Sequence, residues 1–243
     1  MPHVTSEEKI DFILVAFESL KIVLIEWGIS LYIRLGYPVV SNGDYIFLLP
    51  DHQLSLAHSV CLDQGLFLAN NEQLKPLYAC ERTTVAQRYI LGAGALRNYC
   101  RLILLPVSWT GIDMGRLRLL ASTSHQLPCS LWTVPVSSTC LALMRLAMRE
   151  SGDEQIRADM LCSLANIIAY HFFDMTYEGD YMTFVGDDVP LSRQEVAEMQ
   201  VALQQIRAWV VRDEEEWMRE TLARIVAGEM SYDDLPRTMP VLC

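Results

Sequence analysis

The sequence predicts an α/β (α+β) fold, a small mixed sheet flanked by helices and followed by a C-terminal helical layer. Three observations predict it. In the first part of the chain, short apolar or β-branched runs alternate with helix-patterned segments, the order of an α/β unit. After Pro135 the strand-like runs stop and helix signals take over. Hydrophobic residues make up 51% of 243 positions, ample for a buried core.

Taken in order, Thr5-Ser6-Glu7-Glu8 has capping-box spacing and opens a helix over residues 10–20. Residues 21–26 form a short β-branched run, and residues 27–36 read as a helix closed by Gly36, with Pro38 forbidding its continuation. Ser41-Asn42-Gly43 is a turn cluster, residues 44–49 an apolar strand, and Pro50-Asp51 the start of a helix to about Gln64. Leu66-Phe67-Leu68 begins another strand. Residues 99–105 form a central strand stopped by Pro106, and residues 131–134 one more. Beyond Pro135, Ser137 or Ser138 caps a helix through Met148, and Asp153 caps another to about Phe173. A capping box from Ser192 to Glu195 opens a long helix, broken near residues 213–216 and ending near Gly228. The expected organisation is an α/β core over 1–135 and a helical layer over 136–243 packed on it.

Charge narrows the partners. Residues 1–150 hold 12 basic and 12 acidic side chains, whereas 151–243 hold 7 and 18, so the net −11 lies in the C-terminal part. Such a field repels phosphate backbones and anionic lipid, which disfavours nucleic acid and membrane partners. The apolar runs fall short of the ~20 residues that span a bilayer. The N-terminus reads as neither signal nor transit peptide, and a cytoplasmic location is expected. Seven scattered cysteines read as reduced thiols, several of them small core residues. The cations are 16 Arg to 3 Lys, a bias toward fixed, planar contacts.

Gly28 follows a strand and opens a helix, and Asp44 begins the next strand. In this element order, residues 10–110 resemble the opening of a nucleotidyltransferase-fold domain of the minimal, antitoxin-like type. The resemblance implies a glycine-led helix after the first strand, an acid pair on the second, and a third acid on a later strand, together holding two divalent ions. Gly28 matches the glycine position and Asp44 the first acid. Ile29 stands where a second small residue belongs, Ile46 where the second acid belongs, and Arg101 and Ile103 where the third falls. One carboxylate does not hold two Mg²⁺ ions. The resemblance therefore implies a degenerate metal motif, and ordinary nucleotidyl transfer is not expected.

Other motifs have plainer readings. Gly92-Ala93-Gly94-Ala95 has GxG spacing without the rest of a dinucleotide fingerprint, and reads as a turn. His52 and His58 complete no metal-ligand spacing, so no metal and no cofactor are expected. His171 reads as a core or helix-capping residue, and Asp187-Asp188 and residues 213–216 as solvated acids. Trp27, Tyr32, Tyr45, Trp109 and Trp132 fall near the predicted ends of elements around the cleft.

The expectation for function is an apolar small-molecule site in place of the nucleotide cleft, and a metal-independent isomerase or cyclase if it is catalytic. Asp44 and Arg101 are the expected catalytic pair, Asp44 orienting the ligand or moving a proton and Arg101 or Arg34 holding a carboxylate or carbonyl. Trp27, Gly28, Ser30, Tyr32, Arg34, Tyr45, Trp109 and Trp132 are the expected substrate-binding residues. One alternative is a non-catalytic pseudoenzyme docking a basic protein partner on its acidic C-terminal helices. Another is a Mg²⁺-dependent transferase in which Glu26 or Asp51 joins Asp44.

Overall fold

The computed structural model describes residues 5–41, 43–93, 99–121, 125–173 and 193–238. The chain divides into two compact units, Met1–Ser138 and Thr139–Cys243, with the boundary a few residues into a helix.

The first unit carries a six-stranded mixed sheet. Helix α1 (Ser6–Ser19) starts on the expected capping box: the Glu8 amide donates to Thr5 Oγ1 and the Thr5 amide to Glu8 Oε2. Ile10, Ile13, Leu14 and Phe17 recur at helical spacing and are fully buried. After β1 (Leu24–Glu26) come α2 (Ile29–Arg34), β2 (Tyr45–Leu49), a 3-10 turn at Asp51–Gln53 and α3 (Leu54–Asp63). Then follow β3 (Gln87–Ala93), β4 (Tyr99–Pro106), the single turn α4 (Val107–Thr110), β5 (Arg118–Leu119) and β6 (Leu131–Thr133). The strand order is β3-β4-β2-β1-β6-β5. β1 pairs antiparallel with β2 and parallel with β6, while β2 pairs parallel with β4.

Strand alternation splits the sheet into two faces. Leu24, Phe47, Leu49, Leu102 and Leu104 join one core cluster with α1 and α3. Ile25, Ile46, Leu48, Ile103 and Leu105 point the other way and are buried as well. Strands buried on both faces read as continuous apolar runs, which is why β2 and β4 were legible.

Three local expectations change. Residues 66–68 do not form a strand; Leu68 makes one isolated bridge to Tyr89. Two strands were not among the expectations, β5, which has only two residues, and β3, although an arginine such as Arg88 ordinarily faces solvent. Arg88 is instead buried, and its guanidinium donates to Leu74 O (3.0 Å), Ala69 O (3.4 Å) and Asn71 Oδ1 (2.6 Å), tying the 69–74 loop to β3. Gly92 follows a register shift in β3, and a Cβ there would collide with Ser6, so packing accounts for this glycine. Gly94, the second glycine of the GxG run, lies outside the described residues, as do Asp187, Asp188 and Ser192.

The second unit is helical, comprising most of α5 (Val136–Arg149), α6 (Glu154–Phe172), α7 (Arg193–Arg207) and α8 (Glu216–Val226). Asp153 caps α6, accepting from the Gln155 and Ile156 amides. The long final helix is two, parted by residues 208–215, which include a 3-10 turn at Asp213–Glu215. Arg157 is buried and donates to the carbonyls of Ala147 (2.9 Å) and Leu235 (2.6 Å), fastening residues 233–236 to this unit. No helix among the described residues is long and apolar enough to cross a membrane.

Candidate functional site

At one end of the sheet, the ends of some strands meet the starts of others. β1 and β6 run parallel and end there; β2 and β4 run the other way and begin there. Ligands of open α/β sheets favour strand ends where neighbouring chain segments diverge. Two buried carboxylates, Glu26 and Asp44, mark this end.

Asp44 immediately precedes β2. Its Oδ1 accepts the Arg101 backbone N–H (2.9 Å) and its Oδ2 accepts the Tyr78 hydroxyl (2.7 Å). Arg101 is thus beside Asp44, but its side chain turns to Glu81, with Nη1 at 2.7 Å from Oε2. That same oxygen accepts the amides of Leu77 (2.5 Å) and Tyr78 (2.9 Å). Glu81 Oε1 and Arg101 Nε are enclosed without partners. Burial pushes the Asp44 carboxyl above its ordinary range, opposed by the Tyr78 and Arg101 bonds and the Arg101 charge.

Glu26 ends β1 and is 2% exposed. Its Oε1 accepts Arg34 Nε (2.5 Å) from α2 and the Thr133 hydroxyl from β6. Arg34 Nη2 also donates to Thr133 Oγ1 (2.6 Å), so one guanidinium spans carboxylate and hydroxyl. Burial raises the Glu26 carboxyl, and the bonds from Thr133 and Arg34 and the charges of Arg34 and His125 pull it down without cancelling that rise. Gly28, two residues on, has φ 60° and ψ −128°, a backbone that only glycine adopts without strain. It reverses the chain from β1 into α2, which returns Arg34 to Glu26.

The expected site residues are placed as follows. Trp27, Gly28, Ser30 and Arg34 lie on the β1–α2 connection and α2, beside the strand ends where Asp44 and Arg101 sit. Tyr32 stacks on Tyr37, with ring centroids 6.1 Å apart. Tyr45 belongs to the opposite face from Asp44, packed on the α1–α3 core and stacked on Phe47. Trp132 is half-buried in β6, paired with Ile25 one step from the end. Trp109 does not join them: α4 follows the far end of β4, about 17 Å from Arg101 at ~3.3 Å per residue. Both arginines expected to anchor a ligand already hold an internal carboxylate. Asp51 also lies at the far end, accepting from Ser108.

Thr133, Tyr78 and Glu81 are side chains of this end that the sequence reading did not name, and Glu26 entered it only as an acid of the Mg²⁺-dependent alternative. Glu26 follows a β-branched run and precedes Gly28, a placement that signals a strand-end acid. The other three become visible only through tertiary contacts.

Elsewhere, His58 Nδ1 meets the Tyr89 hydroxyl at 2.6 Å, satisfying a buried phenol. Cys61, Cys80, Cys100 and Cys140 are buried free thiols, and burial pushes Cys61 and Cys140 up to about 12, which leaves them protonated and poorly nucleophilic. Among the described residues no three His, Cys, Asp or Glu side chains are grouped to hold a metal ion. Three acids of the second unit meet arginines of the same unit: Glu215 pairs with Arg145 and Arg212, Glu216 with Arg219, and Glu154 with Arg237.

Compared with protein-family models, with curated proteins and with solved structures, the chain matches none.

Proposed function

We propose that the first unit is a nucleotidyltransferase-like scaffold turned to binding an apolar small molecule at this sheet end, where it acts as a metal-independent isomerase or cyclase. The observation that supports this most is the state of Asp44. It stands at the first metal acid of the resemblance, yet both of its oxygens accept protein hydrogen bonds. Ile46 and Ile103, where the resemblance expects further acids, are buried apolar residues on the same face. This donor set does not fit a two-ion centre, which needs several oxygen ligands directed at each cation.

The same end has what cofactor-free rearrangement draws on: fixed dipoles, a water-poor setting and carboxyl groups whose proton affinity burial has raised. The arginines serve the protein's own carboxylates, so an uncharged ligand fits the charge balance better than an anionic one.

Thermal-shift measurements test the proposal. Neutral apolar compounds and apolar carboxylic acids are compared with ATP or CTP plus Mg²⁺, since a ligand that binds only the folded state raises the melting temperature. Stabilisation by an apolar compound, lost in Trp27→Ala, is the expected result. Stabilisation by nucleotide only with Mg²⁺ contradicts the proposal.

A further inference from the structure

The two carboxyl groups at the sheet end differ in one respect that bears on chemistry. Asp44 has no oxygen left over, while Glu26 does. Both bonds to Glu26 end on Oε1. Oε2 accepts none from any described residue and is not among the enclosed unpaired atoms, so the small exposure that Glu26 keeps reaches this oxygen. Arg34 and Thr133, bonded to Oε1 and to each other, anchor that oxygen and leave Oε2 unbonded.

We infer that Glu26, through Oε2, is the proton-transfer group of this sheet end, acting on an uncharged molecule that bears a C–H bond next to a carbonyl. The charge balance favours an uncharged molecule. The Arg34 guanidinium and the Glu26 carboxylate neutralise one another, so this pair offers no counter-charge to an ionic head group. His125 is the further titratable group whose charge acts on Glu26, and its Nδ1 is enclosed without a partner. The step balances without an oxidant or a cofactor. The carboxylate takes the proton from carbon, the C–H electron pair moves to the carbonyl oxygen as an enolate, and the resulting carboxylic acid returns the proton at another carbon. Raised proton affinity strengthens the base and brings its working range closer to neutrality. Arg34 and Thr133 are positioning residues.

The inference rests on the small-molecule reading of this end, and its test is independent of any natural ligand. A neutral diazo amide, 2-diazo-2-phenylacetamide, esterifies carboxylic acids: the acid protonates the diazo carbon, N₂ leaves, and the carboxylate oxygen bonds to that carbon. With the full chain at pH 6, peptide mass spectrometry is expected to find the ester at Glu26 in preference to Glu215. The preference grows about tenfold for each unit by which their pKa values differ. It disappears in Glu26→Gln with the fold intact by circular dichroism, and the yield falls as pH rises through the Glu26 titration. A label confined to exposed acids, with none at Glu26, overturns the inference. So does a compound that stabilises the protein but leaves Glu26 equally reactive, in which case the small-molecule reading survives alone. Esterified Glu26 with no stabilising apolar compound has the opposite meaning.

Discussion

Glu26 in the first unit and Glu215 in the second are both buried carboxylates with an arginine nitrogen at 2.5 Å, yet their proton affinities shift in opposite directions. Glu215 loses solvation too, but the Arg212 bonds and the charges of Arg145 and Arg212 outweigh that loss and lower it. Glu26 has one arginine, a hydroxyl and the weaker influence of the His125 charge, and desolvation wins. A buried ion pair is thus no sign of function by itself. The informative acid is the one with too few cations and an oxygen left over.

The largest effect is expected where a pair is most enclosed. Arg101→Met strands Glu81, whose side chain is 0% exposed, and is expected to cost about 3–5 kcal/mol in urea unfolding. Glu215→Gln removes a charge from two arginines that are partly exposed, and about 1–3 kcal/mol is expected. Gly28→Ala meets no steric block, since Ile46 Cδ1 would be 3.6 Å away, but its φ of 60° is strained for alanine, and about 1–3 kcal/mol is expected. Gly152→Ala, with open space and no positive φ, is expected to stay within about 0.5 kcal/mol. Glu26→Gln is the smallest change at the site, under about 1 kcal/mol near neutral pH, because a neutral isostere removes the group that burial penalises.

The pH profiles separate the two glutamates by sign. The raised Glu26 carboxyl binds its proton more tightly folded than unfolded, so its contribution is present below the unfolded value and is lost as pH rises through the folded one. The lowered Glu215 carboxyl contributes above the unfolded value and loses that contribution as pH falls through the folded one. On acidification, the stability of the wild type relative to Glu26→Gln is expected to rise, and relative to Glu215→Gln to fall. Urea midpoints between pH 4 and pH 8 read both.

The sequence shows what is local. Thr5 and Glu8 announce α1, the apolar runs of β2 and β4 announce central strands, and Gly28 and Asp44 lie at the same sheet end. It hides what is distant. Thr133 bonds to Glu26 across 107 positions, and Tyr78 to Asp44 across 34, from a segment with mixed signals. Arg34 and Arg101 look like free anchors because nothing in the chain near them names their partners. Trp109 lies apart from these residues for a different reason: it follows β4 at the end opposite Arg101. Direction within a sheet depends on pairing, which spacing alone does not give.

Site-resolved NMR titration of the glutamate side-chain carboxyl carbons in the full chain, assigned through Glu26→Gln and Glu215→Gln, bears on the account most directly. The expected result is a Glu26 midpoint above the ordinary glutamate value and a Glu215 midpoint below it. A Glu26 midpoint at or below that of Glu215 would contradict it, because Glu26 would then be one more satisfied structural ion.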